Sequence, residues 1–407
     1  MFETLPHIIE PSRDIPIIEK VDVLVVGGGP AGIAAALAAQ RRGLHTVLIE
    51  RNNHLGGLWT GGLILILLST HAVDQQGNQK KVVFGIGDEI AQRLRSMGMA
   101  IEDINPIIDP EAAKYVFDVM MKEAGVKVLY QCWASNIVKK GDKIDAVIFE
   151  SKSGRVAIRA DVVVDATGDG DIFAMAGESF INMPYHIGLA HRLGNIDRVD
   201  HAAPGFKKVG LGKPTPNTSV NWINMLGQKN SDGLDLFTLS ELNQAHRIRI
   251  WEDFKKLKAI PGYEKIFILD TASQLGVRVS RVLAGQYQLT LEDSMTFHQF
   301  ADVVGICGAW RDITYHGQIV KKSERPIWQI PLRSILPKKT GNLVVAGRCF
   351  SFEAGLVEDA RIIGTALLTG HAAGAAAAVA AKKKVRVQEI SYQAVQRILL
   401  DQNAYLG

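Results

Sequence analysis

Residues 21–26 form a continuous apolar run broken only by Asp22 and rich in β-branched side chains. So short a run predicts a strand buried on both faces, as in a parallel sheet. Residues 30–42, dominated by Ala, Leu and Ile, predict a helix closed by Gly43. A second buried strand is expected at 46–49, ending in Glu50. This strand–turn–helix–strand unit spans about thirty residues, the size of one βαβ crossover. Helical patterns follow at 86–97 and 110–124, the latter opened by Asp109-Pro110, with Asp placed to cap and Pro at the first helical position.

Residues 126–129, 135–139, 143–151 and 156–160 alternate and turn at Gly141-Asp142 and Ser153-Gly154, which predicts a small antiparallel meander. A further buried strand, 161–165, runs into Ala166-Thr167-Gly168-Asp169. From about 177 to 336 the apolar runs shorten, aromatics and His become denser, and Pro/Gly loops intervene around one amphipathic helix at 240–258. This reads as an α+β lobe inserted into an α/β, Rossmann-like nucleotide-binding domain. The domains expected are therefore 1–176 with 337–407, and 177–336. The nucleotide fold resumes with a strand at 342–346 and a long helix at 361–381.

Composition narrows the class. The chain has 407 residues, 47% hydrophobic and 22% charged, with 39 Gly and 14 Pro, which excludes a disordered, collagen-like or disulfide-scaffold protein. A net charge of +4, from 46 basic and 42 acidic residues, is too mild to argue for nucleic acid or a membrane surface as partner. The scattered Cys132, Cys307 and Cys349 lack a C-x-x-C spacing, and no metal site is expected. No basic leader precedes an apolar core near the N-terminus, and the 365–381 run is alanine-rich and carries His371. A cytoplasmic protein with a buried helix is expected, and a homo-oligomer is compatible with it.

The candidate chemistry begins at Gly27-Gly28-Gly29-Pro30-Ala31-Gly32, a G-x-G-x-x-G sequence between strand and helix. Gly27 permits the tight turn, Gly29 lets a pyrophosphate approach the backbone, and Gly32 lets the helix pack on the strand. The phosphates would sit at the positive helix N-terminus. Glu50 is placed to accept from ribose hydroxyls, and the neighbouring Arg51 is placed to meet a 2′-phosphate. This motif calls for a dinucleotide without choosing FAD over NAD.

The blocks VDVLVVGGGPAGIAAALAAQRRGLHTVLIE, HLGGLWTGGL, ADVVVDATGDGDIFAMAGE, LGVRVSRVLAGQYQLT, NLVVAGRCFSFEAG and ARIIGTALLTGHAAGAAAA run from residue 21 to 378. Through them the chain resembles the FAD-dependent oxidoreductases of the glutathione-reductase-like superfamily, in particular flavoproteins related to fumarate reductase and succinate dehydrogenase. The resemblance implies FAD held at the pyrophosphate by Gly27, Gly29, Pro30, Ala31 and Gly32 and at the ribose by Glu50. It implies that Gly56, Gly57 and Leu58 follow the cofactor toward the flavin and that Ala134 meets the adenine. Ala166, Thr167, Gly168 and Asp169 would pass the adenosine half, and Gly347 and Arg348 the ribityl chain. The helix start at Gly364 and Thr365 would aim its dipole at the flavin N1–C2=O edge.

No second G-x-G-x-x-G lies in 177–336, which argues against a separate NAD(P)H domain, and no Cys pair argues for a disulfide reductase. In that lobe Arg278 is a candidate clamp for an anionic or carbonyl oxygen, with an ion pair bracing two lobes as the competing role. Arg281 reads as such a brace. Trp310-Arg311-Asp312 and His316 fall where the resembled family places polar residues over the flavin, and His316 is a candidate base. His54 is a candidate flavin tether, and Cys349 a packing residue. The expected activity is hydride transfer between flavin N5 and a small polar organic substrate, with Arg278 or Arg348 stabilising oxygen charge. The electron partner is left open among oxygen, a quinone and another protein. The alternatives are non-redox hydratase or isomerase chemistry on the same cofactor and, with less support, an RNA-modifying flavoprotein.

Overall fold

The computed structural model describes residues 5–74, 76–224 and 227–407. Strand β1 (Ile17–Val26) leads through a glycine turn into α1 (Pro30–Gln40) and back to β2 (Thr46–Glu50). The apolar pattern at 21–26 captured only the buried end of β1, whose first four residues are exposed or partly so. Helices α2 (Ile86–Ser96) and α3 (Pro110–Ala124) follow. Asp109 accepts from the amides of Glu111 and Ala112, and left-handed Gly125 ends α3. Then come β3 (Lys127–Tyr130), β4 (Trp133–Lys140), β5 (Lys143–Ser151) and β6 (Gly154–Asp165). After the inserted segment the chain returns with β7 (Leu343–Val345), a short helix α4 (Val357–Ala360), α5 (Ile363–Lys383) and α6 (Tyr392–Asp401).

Seven strands form the main sheet, in the order β3-β2-β1-β6, with β5 and β4 beyond and β7 also on β6. Two expectations are corrected here. Residues 127–130 do not open the meander; β3 pairs parallel with β2 at the sheet edge. The expected strands 156–160 and 161–165 are one continuous strand. The first half of β6 pairs antiparallel with β5, and its last residues pair parallel with β7. Each half follows a different hydrophobic rhythm because each meets a different neighbour, which is why the sequence pattern broke there.

The parallel strands are buried on both faces. Val23 and Val25 join the core beneath α1, α3 and α5, while Leu24 and Val26 join the core beneath the meander. Helix α5 begins at Ile363 rather than at 361, because the backbone turns at Ile362 after α4. Among the described residues α5 is the one helix long and apolar enough to cross a membrane, and its apolar window lies wholly inside the protein. Its glycines allow intimate contact with α1: a Cβ at Gly370 would lie 2.1 Å from the Ala31 carbonyl oxygen, and one at Gly374 would lie 2.3 Å from that of Ala35.

Within 177–336, a four-stranded sheet pairs His191–Gly194 with Val220–Ile223 on one side and Phe267–Thr271 on the other. The helix expected at 240–258 starts earlier, at Leu236, where Asp235 caps it, and buries only His246 and Ile250. Strands Val303–Cys307 and Trp328–Pro331 pair with each other and contribute to the same core as α5.

Candidate functional site

The C-terminal ends of β1, β2, β6 and β7 open into one large cleft of about 1930 Å³ including its mouth. At its centre Gly27 has a φ of +102°, and a Cβ there would lie 2.5 Å from the Ala166 carbonyl oxygen. Gly32 packs so closely that a Cβ would collide with the Gly27 carbonyl. Gly29 differs: its φ of −70° suits any residue, and a Cβ would meet nothing within 4 Å. The space beside it is the cleft itself, which Gly29, Pro30 and Ala31 line at the start of α1. The helix leaves its first amides without intrahelical acceptors, so an anion is favoured there.

On one side the cleft runs past Glu50, whose Oε2 accepts from the Gly28 amide at 2.6 Å and whose Oε1 accepts from the Asn52 amide at 2.8 Å. Arg51 lies over the ring of half-exposed Trp133, 5.1 Å from its centroid, and both line this end together with Ala134 and Asp171. The turn at Ala166–Asp169 is held by Asp165, which accepts from the Thr167 amide and hydroxyl and from the Phe173 amide. Full burial pushes the Asp165 carboxyl up to about 6. Asp169 is buried too, yet Arg348 at 2.7 Å and the Ser280 hydroxyl at 2.7 Å keep it below the usual carboxylate range.

In the other direction the walls are Gly57, Leu58 and Trp59, then Ile64, Ile66 and Leu68, with Ile362, Ile363 and Ala366 from the start of α5. The inserted segment contributes Gln274 through Arg278, along with Trp310 and Arg311. Four buried donors on the lining have no protein partner: Trp59 Nε1, Gln274 Nε2, Arg348 Nε and Arg361 Nε. An occupant rich in acceptor atoms would satisfy them.

The profile of the FAD dependent oxidoreductase family matches residues 22–192 and 190–399, nearly the whole chain. The chain belongs to that family. The oxidoreductase is also 31% identical over 167 residues to the thiamine thiazole synthase of Methanococcus vannielii, across 37% of this chain and 56% of that protein. It is 27% identical over 209 residues to the thiamine thiazole synthase of Sulfolobus acidocaldarius, across 47% and 74% of the two chains. The chain thus spans little more than half the length of the first of these relatives. Among solved structures, a flavoprotein/dehydrogenase from Cytophaga hutchinsonii aligns with a TM-score of 0.48 and 14% identity, covering 93% of this chain and 82% of the other.

The oxidoreductase uses FAD, and its cleft fits that cofactor: an anion-ready helix start with an open glycine, an acid at the second strand end, and buried donors without a protein partner among its lining residues. Of the residues expected from sequence to hold it, Gly27, Gly29, Pro30, Ala31, Glu50, Arg51, Gly57, Leu58, Ala134, Ala166, Thr167, Gly168, Asp169, Gly347 and Arg348 line the cleft. Four do not. Gly32 faces the Gly27 turn, and Gly56 donates its amide to the Gly28 carbonyl, 2.8 Å away, from behind the wall. Gly364 abuts the Leu68 carbonyl, and the Thr365 hydroxyl donates to the Asp359 carbonyl at 2.7 Å, so α5 presents Ile362 and Ile363 instead.

Among the candidate chemical groups, Arg278 lines the cleft but His316 does not. His316 sits exposed at a hairpin turn with a φ of +47°, between strands Ile313–Tyr315 and Gln318–Val320, and stacks near Tyr315. Its short polar surroundings, read from sequence as a site loop, are those of a solvated turn. Cys349 is fully buried and its thiol pushed well up by that burial, a packing residue. His54 contacts the Leu55 carbonyl and the Thr60 hydroxyl away from the lining, and Arg281 braces the lobe against Asp171 at 2.9 Å. Among the described residues no group of three acidic, His or Cys side chains could hold a metal. Sequence reasoning passed over Trp59, Trp133, Gln274 and Arg361. The signal for Arg361 was present: the charged cluster Glu358-Asp359-Ala360-Arg361 directly ahead of an apolar helix has to find polar neighbours.

Proposed function

We propose that this FAD-dependent oxidoreductase transfers a hydride between flavin N5 and a carbon of a small polar organic substrate. When bound, FAD supplies N5 as the hydride acceptor or donor. The observation that carries the reading is the lining of the cleft, which joins the dinucleotide-binding turn to apolar Leu275, Val277 and Ile362 and to the guanidinium of Arg278. Apolar walls exclude water from the reacting carbon, and a guanidinium at the end orients an oxygen-bearing substrate and stabilises charge on it.

Division of labour in the chain supports the same reading. The sheet domain, residues 17–176 with 337–383, supplies the backbone cradle and Glu50, whereas the inserted residues 177–336 supply Gln274 and Arg278. The antiparallel meander docked on a parallel nucleotide sheet supports kinship with the glutathione-reductase-like superfamily. No histidine lines the cleft among the described residues, whereas the carboxyl groups of Glu50, Asp169 and Asp171 do.

The deciding experiment is an anaerobic screen of hydroxy acids, amines, sugars and steroids against the purified flavoprotein. Bleaching of the oxidised-flavin absorption band by one class supports the proposal. A compound that is turned over without ever bleaching the band would overturn it in favour of non-redox chemistry.

A further inference from the structure

The helix Leu236–Lys258 of the inserted segment is 23 residues long and buries only His246 and Ile250. His246 Nε2 donates to the Ile187 carbonyl at 3.1 Å, which fixes the side of the helix that faces its own lobe. A helix in water draws most of its stability from packing one apolar side, so apolar residues on the opposite side call for a cover of their own. Here Ile248 is 63% exposed and Trp251 51% exposed. At about 100° per residue, Glu241, Gln244, Ile248, Glu252 and Lys255 fall within about 40° of one line down the side opposite His246 and Ile250. All five are exposed, and Trp251 lies beside the line, its ring edge-on to Phe254.

The charges along this line complement themselves when the line is reversed. Glu241 and Lys255 each stand seven residues from Ile248, one on either side, and Gln244 and Glu252 each stand four away. A second copy laid antiparallel about a twofold axis at Ile248 sets Glu241 opposite Lys255 twice, Gln244 opposite Glu252 twice and Ile248 against itself. Seven residues are about two helical turns, so the ion pairs close the seam about 10 Å to each side of its apolar centre. Parallel pairing would instead set Glu241 on Glu241 and Lys255 on Lys255. The Glu241 carboxylate has no hydrogen bond or ion pair among the described residues, whereas Lys255 reaches Glu252 of its own helix at 2.7 Å. With Glu241 and Glu252 against Lys255, the line is acidic, which disfavours an anionic lipid surface as the cover.

We infer that the outer face of the helix Leu236–Lys258 binds the same face of a second copy of this chain, antiparallel about Ile248, making a homodimer. The axis brings both Trp251 side chains to one edge of the seam, where they cover it. Each copy contributes one helix, at the small end of protein interfaces, so the dimer is reversible and its population changes across micromolar concentrations. The inference is independent of which substrate the cleft takes.

The test is sedimentation velocity of the FAD-loaded protein from about 1 to 100 μM at low salt, where ion pairs are least screened. A monomer–dimer equilibrium is expected. Ile248→Glu, Glu241→Lys and Lys255→Glu should each weaken it about tenfold, since each sets like charges opposite one another. An equimolar mixture of Glu241→Lys with Lys255→Glu should form a heterodimer, because both cross-pairs are then opposite in sign, and the double variant should dimerise within threefold of wild type. Mixing cannot mend a folding defect, so this rescue reads contact between copies. Protein that stays monomeric throughout, wild-type association in all three single variants, or a mixture no more associated than its components would each overturn the inference.

Discussion

Replacing Gly29 by Ala separates the role of the glycine turn in folding from its role in binding. The backbone at Gly29 is extended, with φ −70° and ψ −178°, and an added methyl would touch nothing within 4 Å, so the empty protein should tolerate it. Glycine is a better helix cap than alanine, but the difference costs below ~1 kcal/mol. With FAD the same methyl stands where a phosphate must approach the opening amides of α1. Losing one or two charge-assisted hydrogen bonds, at about 1.5–3 kcal/mol each, weakens binding by about 3 kcal/mol, or roughly 150-fold. Gly27→Ala is the contrasting case. Its φ of +102° and a Cβ 2.5 Å from the Ala166 oxygen put strain into the fold itself. The assay is fluorescence titration of deflavinated protein with FAD, paired with its melting curve. Gly29→Ala should melt like the wild type and bind far more weakly, whereas Gly27→Ala should melt early. If Gly29→Ala binds FAD within threefold of wild type, or melts as early as Gly27→Ala, the cradle reasoning is wrong.

Other consequences can be checked directly. His371 is buried in α5, its Nε2 2.8 Å from Gln402 Oε1, and burial pushes its pKa down to about 4. A native value below the unfolded ~6.5 stabilises the fold fully above pH 6.5 and less as pH falls through 4. The unfolding free energy from urea titrations should therefore drop by roughly 3 kcal/mol over that window, and His371→Gln should flatten that component. Gly370→Ala forces α5 away from α1 and should cost on the order of 3 kcal/mol by thermal or urea unfolding, and an unchanged midpoint would refute the close contact. Arg348→Gln strands buried Asp169 with only Ser280 and should destabilise by about 3 kcal/mol or more, a loss that a neutral partner, Asp169→Asn in the double variant, should partly restore. His316→Ala should leave flavin content and the rate of substrate-driven bleaching within twofold, since its ring is on an exposed turn, and a hundredfold loss would return it to the site.

The cofactor grip was legible in the sequence because its requirements are local. A buried strand, a turn only glycine can make and an alanine-rich helix must be adjacent, and the chain writes them consecutively through residue 40. The remaining lining of the cleft was not legible to the same degree. Arg361, Arg278 and Gln274 come from three separate segments, and the tertiary fold brings them together without any fixed spacing. His316 failed for the complementary reason: a polar residue in a Gly-containing loop has the same local signature whether the loop faces a ligand or water. The two misread strand assignments share one cause. Periodicity reports how a strand's faces are covered, and β6 changes its covering midway, while β3 lies at an edge where burial is partial.

The contact of α5 with α1 through Gly370 and Gly374 makes the site a gauge of fixed length. The start of α1, which would hold the diphosphate, and the start of α5, which lines the same cleft, belong to two rods clamped backbone to backbone, so neither can slide to suit a shorter molecule. A flavin mononucleotide would leave the Glu50 end empty without any compensating closure, and the enzyme should discriminate against it by the whole adenosine contribution.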